Sequence, residues 1–222
     1  NNGYGYHFWM LRDGAFAGLG SGSQVIVVIP ALDIVWVSTG NLLEDDGDLS
    51  DLVHLVWSTV IPHVADAALP ANAAALQSLR EKETALEMPM PAGRPTSPML
   101  SAINGNTYTF EQNEAKIESV QITDNTDGVI VRIMRDKKPW TIEATASGWN
   151  KIHDTISGED GWARCVWTDE NDLVCRLILE DVVGTYKIVL CFKDNAVSAN
   201  IYPTGWTDFP RFSLFQTGFA QA

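Results

Sequence analysis

The sequence has few cations, few cysteines and no long apolar run, and each shortage excludes a class of protein. Its 15 Lys and Arg residues are outnumbered by 28 Asp and Glu residues, which gives a formal net charge of -13. This charge repels nucleic-acid phosphates and anionic membrane surfaces, so neither is expected as a partner. The longest apolar stretch, residues 25–38, is interrupted by Pro30 and Asp33. It falls short of the roughly 18–20 apolar residues that span a bilayer, so no membrane span is predicted.

Three cysteines, Cys165, Cys175 and Cys191, are too few and too widely spaced for a zinc site or a full disulfide framework. Cys165 and Cys175 are equally far from Glu170, which lies in the turn of a predicted hairpin. The two thiols are therefore expected on facing strands. Two buried, reduced thiols are the favoured prediction, and a cross-strand disulfide is the alternative. The four histidines are scattered along the chain, and no metal or cofactor is predicted.

The first forty residues have the pattern of a β-meander. Strands are predicted at residues 4–10 and 15–19, on either side of an Arg-Asp-Gly turn. Two more are predicted at residues 24–29 and 34–38, on either side of a proline-led turn. The last two strands are apolar at nearly every position. This composition predicts that both of their faces are covered.

Two helices are predicted after the meander. Residues 48–61 place apolar side chains at helical spacing, with Asp48 as the N-cap and Asp51 in the first turn, where negative charge is favoured. Pro62 should end this helix, because proline cannot donate the next helical hydrogen bond. Residues 73–86 form a second, shorter helical stretch.

A proline-rich stretch divides the chain. Residues 88–98 contain four prolines and predict an extended linker, so we expect one domain over residues 1–91 and another over residues 99–222. Every element from Leu100 onward is predicted to be a strand, and the aromatic tail, residues 205–222, to pack against those strands. Eight short strands joined by tight turns predict an antiparallel barrel, built as a lipocalin-like meander, or a sandwich. These strands are residues 107–112, 116–123, 129–134, 140–144, 161–167, 173–180, 185–192 and 196–202.

The order of the first blocks is more specific than any one of them. An aromatic strand at residues 4–9 leads to a Gly-rich stretch at residues 14–24, and the strand after it ends in Pro30-Ala31-Leu32-Asp33. A final strand then reaches Thr39-Gly40. This order resembles the last strands of the serine β-lactamase and penicillin-binding-protein family, in its class C, esterase-like branch. The fold class that the resemblance implies is α+β. It comprises the C-terminal antiparallel strands and closing helix of a β-lactamase-like domain, followed by a β-rich accessory domain.

The resemblance implies acyl transfer on an amide or ester carbonyl. In that family a serine of a Ser-x-x-Lys motif is the nucleophile, and a third motif lies on the strand that lines the cleft and offers a backbone N–H to the oxyanion. By position that motif falls on Gly18, Leu19 and Gly20, with Ser21 following, so these four residues are the expected cleft strand. Gly20 matches the motif glycine. Leu19 departs from the Thr or His usual nearby, so only a backbone role is expected there.

The chain contains no Ser-x-x-Lys motif, so the resemblance implies that no catalytic residue lies within it. The chain also begins only a few residues before its first predicted strand. We therefore expect it to be part of a longer serine hydrolase, inactive alone, whose missing N-terminal half supplies the nucleophile. That half is an expected partner, a small amide or ester is the expected substrate, and the open edge of the sheet is expected to allow self-association. The localisation of the parent stays open, with a bacterial extracytoplasmic site as one option.

The alternative function assumes the same two folds but no catalytic activity. An eight-stranded barrel is wide enough to hold one small apolar ligand. In this alternative the second domain is a non-catalytic module that binds a ligand or a partner, and the first domain is structural. A packed barrel core with a docking role is the simpler expectation for these strands.

Overall fold

The computed structural model describes residues 3–40, 49–180, 184–205 and 216–220. Contacts between residues divide the chain into two compact units, Asn1–Pro89 and Met90–Ala222. Each unit has a hydrophobic core of its own. The units are therefore described one at a time.

The first unit contains the predicted meander. Its five strands are antiparallel, and each pairs with the next along the chain. The predicted first strand is in fact two strands, because Tyr6 and His7 adopt positive φ angles of 53° and 67° and form a two-residue hairpin turn. The strands are β1 (Tyr4–Gly5), β2 (Phe8–Met10), β3 (Phe16–Gly20), β4 (Gln24–Ile29) and β5 (Ile34–Ser38).

The predicted helix packs on this sheet. It begins as α1 (Leu49–Leu55), continues as one π-helical turn (Val56–Val60) and ends in a 3-10 turn (Ile61–His63) that contains Pro62. Val56 is fully buried against Ala17, Val25, Val27 and Ile29 of the sheet. The expected N-cap, Asp48, lies outside the described residues. The second helix is α2 (Ala73–Thr84), where the Asn72 side chain accepts a hydrogen bond of 2.9 Å from the backbone N–H of Ala75.

The prediction that β4 and β5 are covered on both faces is wrong for the described residues. Strand residues alternate between faces, and the register sets Ile26 opposite Val37 and Val28 opposite Val35. These residues lie on the face away from the helix. Ile26, Val35 and Val37 are 42%, 66% and 59% exposed. This surface, here named the open face, also carries Phe8 and Met10.

The second unit is a nearly closed barrel, which decides between the predicted barrel and sandwich. Its ten strands are β6 (Thr107–Thr109), β7 (Ile117–Asn125), β8 (Gly128–Arg135), β9 (Lys138–Thr145), β10 (Asn150–His153), β11 (Asp160–Trp167), β12 (Asp172–Leu179), β13 (Gly184–Lys193), β14 (Ala196–Gly205) and β15 (Gln216–Ala220). They form one sheet in the order β10-β11-β12-β13-β14-β15-β6-β7-β8-β9, and β9 returns to pair with β11. All eight predicted strands are present. Two strands, β10 and β15, were not predicted.

The prediction of strands alone from Leu100 onward is wrong at its start, because the chain forms a short helix there, α3 (Pro98–Ile103). Ser97 is the N-cap, accepting from the backbone N–H of Met99 at 3.2 Å, and Pro98 occupies the first helical turn, where its missing N–H costs nothing. The Ser97 hydroxyl also donates to the Glu170 carbonyl. Leu100 and Ile103 are buried in the barrel core. Capping and burial together favour the helix over a strand.

Part of the predicted linker lies directly on the barrel. Arg94 forms a two-hydrogen-bond bridge with Trp167, with N···O distances of 2.8 and 2.9 Å. At Gly93 a Cβ atom would lie 2.8 Å from the Trp167 carbonyl oxygen. Only glycine allows the backbone to approach β11 this closely. The residues that follow Met90 therefore belong to the barrel unit.

Aromatic side chains fill the barrel interior. Trp140 and Tyr186 pack with ring centroids 5.1 Å apart, and Phe192 packs against both Tyr108 and Trp167 at 5.7 and 6.1 Å. All five side chains are at most 2% exposed. Of the tail aromatics expected to pack on the barrel, Trp206, Phe209, Phe212 and Phe215 lie outside the described residues. Phe219 is 61% exposed on β15, so the expected packing is wrong at that position.

Candidate functional site

Strand β3 has an exposed backbone edge at the predicted cleft residues. On the β2 side its register contains Met10↔Phe16 and Trp9↔Ala17 and ends there. On the other side β4 pairs with β3 as far as Gly20↔Gln24. Gly18, Leu19 and Gly20 therefore have a strand on one side only within the described residues. An unpaired edge of this kind can bind an extended backbone or a carbonyl group.

The Leu19 amide points to that exposed edge. The Leu11 N–H donates to the Ala15 carbonyl at 2.8 Å, which fixes Ala15 as a residue that bonds toward β2. Because strand residues alternate in direction, Ala17 and Leu19 direct their N–H and C=O groups to the same side. Trp9 lies opposite Ala17, but the register has no β2 residue opposite Leu19. The Leu19 side chain packs instead against the core under the helix.

The Gly-rich turn after β3 is fixed in place by Gln24. Its side-chain Nε2 donates to the Gly22 carbonyl at 3.2 Å and to the Gly40 carbonyl at 2.5 Å. Ser23 is 4% exposed and has a φ angle of 72°. A Cβ atom on Gly40 would lie 3.2 Å from the Gly22 carbonyl oxygen, so the turn and the end of β5 are in close contact. The turn is therefore held rigidly beside the exposed edge.

The structure brings the four expected cleft residues together as one strand end and its turn. Phe8 covers Gly18, where a Cβ atom would lie 3.6 Å from the Phe8 ring, and Ser21 is exposed. Sequence reasoning missed the role of Gln24, although a glutamine at the end of the Gly-rich stretch, directly after Ser23, was the available signal. The Gly40 contact, made across sixteen positions, has no signal in the local sequence.

A second group of reactive side chains lies inside the barrel. Cys165 and Cys175 are buried and reduced, as the favoured prediction stated. The Cys165 sulfur accepts a hydrogen bond from the Cys175 thiol, and this hydrogen bond lowers the pKa of Cys165. The same hydrogen bond, together with burial, raises the pKa of Cys175. Burial also raises the pKa of the half-buried Cys191, and the nearby Asp172 carboxylate raises it further.

An ion-pair network on the barrel surface holds β10 to β11. Asp160 lies 3.0 Å from His153 Nδ1 and 3.3 Å from Lys151 Nζ, and Lys151 also reaches Glu180 at 3.6 Å. The hydrogen bonds from His153 and then from Lys151 lower the pKa of Asp160 from its usual 3.8. The hydrogen bond to Asp160 in turn raises the pKa of Lys151. These exposed pairs join residues of β10 to β11 and to Glu180, the residue that follows β12.

We expect acid to loosen β10 selectively. A carboxyl group whose pKa is lowered in the folded state stabilises that state above its unfolded value, near 3.8, and the stabilisation is lost as pH falls through the lower folded pKa. Amide hydrogen exchange of β10, compared at pH 5 and at roughly pH 3 and below, should show this loss in the unaltered chain and a much smaller one in Asp160→Asn. Asp136→Asn, which breaks a separate exposed pair with Lys116, is the control. Equal acid sensitivity in all three chains would contradict the prediction.

Comparison with known proteins finds no match: no protein-family model matches the chain, and no curated protein matches it.

Among residues 3–40, 49–180, 184–205 and 216–220, no cluster of three or more His, Cys, Asp or Glu side chains could hold a metal ion. None of the helices in the part of the chain that the structure describes is long and apolar enough to cross a membrane.

Proposed function

We propose that residues 4–63 form one wall of the cleft of a β-lactamase-related serine hydrolase. The observation that carries the proposal is the exposed edge of β3 at Leu19, because the family resemblance expects a cleft-lining strand with a free backbone N–H at this position. The side chain of Leu19, which departs from the family pattern, packs into the core and leaves the edge clear. A backbone donor needs no particular side chain.

In the proposed reaction this wall supplies electrostatic stabilisation. The Leu19 N–H donates to the oxygen that becomes negatively charged when a nucleophile attacks the substrate carbonyl. Gly20 has no side chain, so the scissile group of the substrate can approach the backbone of β3 closely. Gln24 holds the following turn, so that the donor does not have to reorganise during the reaction. The serine nucleophile belongs to a Ser-x-x-Lys motif outside residues 1–222.

The open face also supports this proposal. Soluble proteins rarely expose a contiguous apolar sheet surface, and such surfaces usually mark a contact with another domain or chain. Phe8, Met10, Ile26, Val35 and Val37 are between 36% and 66% exposed here. The proposed N-terminal half would cover them. Self-association through the edge of this sheet remains a prediction.

The alternative, a non-catalytic barrel module, is less well supported in its ligand-binding form. The volume in which a barrel ligand would lie is occupied by five aromatic side chains. A role for the barrel in contacting a partner protein remains the alternative.

Activity measurements on two forms of the protein test the proposal. Residues 1–222 alone should neither hydrolyse nitrocefin or p-nitrophenyl esters nor react with a fluorophosphonate probe, because they lack the nucleophile. The complete gene product should react with the probe at the serine of a Ser-x-x-Lys motif encoded upstream of Asn1. In that product Gln24→Ala should lower kcat by about 10- to 100-fold, because a small displacement of the donor strand is costly, whereas Gln77→Ala on the exposed helix α2 should not. Labelling of residues 1–222, or an upstream sequence without the motif, would refute the proposal.

A further inference from the structure

Cys165 and Cys175 occupy the strand geometry that a disulfide requires. They are direct partners in the register of β11 and β12. The Thr168 N–H donates to the Asp172 carbonyl and the Glu180 N–H to the Asp160 carbonyl, both at 2.9 Å, so the pairs 168–172 and 160–180 are hydrogen-bonded. Alternation along the ladder makes Cys165↔Cys175 a non-hydrogen-bonded pair, with Cα atoms about 4.5 Å apart. That separation lies within the range of about 4.4–6.8 Å found across disulfides.

The same thiol pair lies at the weakest junction of the barrel. Strands β9 and β11 close the barrel through one register pair among the described residues, Arg164↔Thr145, which is here named the seam. The Cys165 Sγ–H donates to the Ala144 carbonyl across this junction at 3.2 Å. The donor, Cys165, is next to Arg164 in the sequence, and the acceptor, Ala144, is next to Thr145, so this hydrogen bond lies beside the seam. A side-chain hydrogen bond supplements a junction that has little backbone pairing.

We propose that Cys165 and Cys175 are a dithiol–disulfide site whose oxidation weakens the seam. The oxidant is a small-molecule disulfide of the glutathione class, written RSSR. The Cys165 thiolate attacks one sulfur of RSSR and releases one RSH, and the Cys175 thiolate then displaces the second. Two thiols and RSSR thus become one protein disulfide and two RSH, and the two thiol protons leave with the released thiols.

The order of these steps and their consequence follow from the surroundings of the pair. Cys165 attacks first, because its thiol lies at the seam that opens to the oxidant, and the hydrogen bond from Cys175 also lowers its pKa. Both side chains are at most 1% exposed, so the oxidant reaches them when the seam opens locally. The product disulfide has no S–H group. It therefore cannot donate to the Ala144 carbonyl, and the open seam is favoured after oxidation.

A Cys191→Ser chain tests the site, because it keeps the pair and removes the third thiol. This chain is reduced, equilibrated with oxidised glutathione under native conditions, denatured and titrated. We expect the thiols to fall from two per chain to none, with a linked 165–175 peptide and no retained glutathione. By the alternation described above, the N–H of residue 165 points away from β12 and toward the seam. Its amide exchange, corrected for the intrinsic rate, should then be about fivefold faster than in the reduced chain, the factor expected for loss of one hydrogen bond. Persistence of both thiols, or a stable mixed disulfide, would overturn the site.

Two further variants, both in the Cys191→Ser background, separate disulfide formation from its effect on the seam. Cys165→Ser retains a hydroxyl donor and cannot oxidise to a disulfide, so amide exchange at residue 165, corrected for the intrinsic rate, should match the reduced chain with or without oxidant. Cys165→Ala lacks a donor, so its exchange should match the oxidised chain even under reducing conditions. A disulfide that forms without any change in amide exchange at residue 165 would overturn the link to the seam.

Discussion

Replacement of Gly128 by alanine should lower the free energy of unfolding of the barrel by about 3 kcal/mol or more, the upper end of the cost of forcing extra atoms into a packed site. A Cβ atom on Gly128 would lie 2.1 Å from the Ala144 carbonyl oxygen and 2.9 Å from the Thr145 Cα. Both contacts are with backbone, which cannot rotate away as a side chain can. Relief requires β8 and β9 to separate at Gly128↔Thr145.

Because of the position of Gly128, this substitution should destabilise the barrel more than the addition of one methyl group would indicate. The Ala144 carbonyl that a Cβ would displace is the acceptor of the Cys165 hydrogen bond at the seam. The Asp127 carbonyl, one residue before Gly128, accepts from the Ala146 N–H at 2.7 Å. A displacement of β9 therefore disturbs the hairpin and the barrel junction together.

Urea unfolding followed by tryptophan fluorescence measures the effect of Gly128→Ala. Gly148→Ala is the matched control, because a Cβ at Gly148 would meet no atom within 4 Å and its φ is not left-handed. The control should change the free energy of unfolding by no more than about 0.5 kcal/mol, as is usual for surface substitutions. Equal midpoints for Gly128→Ala and Gly148→Ala would show that the close approach is absent.

The eight predicted barrel strands were accessible from sequence because each has a β-branched or aromatic run bounded by turn residues. Strand β10, Asn-Lys-Ile-His, has no such run. It pairs with β11 over four residues, its Ile152 packs against the core, and His153 and Lys151 bind Asp160. Local composition does not encode these contacts. Helix α3 did have a signal: Ser97 followed by Pro98 is a helix start, and the surrounding prolines were interpreted as a linker instead.

The candidate site shows the same division between local pattern and tertiary contact. Gly18, Leu19, Gly20 and Ser21 are adjacent in sequence, so any motif that predicts one predicts all four. Whether the Leu19 amide is exposed depends on where the β2 register ends, and that depends on the hairpin turn at Tyr6 and His7. The expected cover over β4 and β5 was wrong for a related reason. Apolar composition shows that a strand has two apolar faces and does not show whether the chain itself covers both.

Truncation of Trp140 should be the most destabilising side-chain deletion in the barrel. Trp140 is fully buried in the barrel core and packs edge-on against Tyr186. Trp140→Ala removes a whole indole from a site whose neighbours are strands of a barrel and cannot collapse inward. The free energy of unfolding should therefore fall by about 3–5 kcal/mol, the cost measured for large aromatic deletions.

Trp162→Ala is the control for this deletion, because Trp162 is 37% exposed on β11 and its indole N–H donates to Glu180 at 2.8 Å. Loss of that exposed contact should cost about 1 kcal/mol or less. Trp140→Phe should lower the free energy of unfolding less than Trp140→Ala does, because the phenyl ring fills part of the volume of the indole. If Trp140→Ala and Trp162→Ala unfold at the same urea concentration, the barrel is not filled by its aromatic side chains. A ligand-sized space would then exist inside it, and the ligand-binding alternative would regain support.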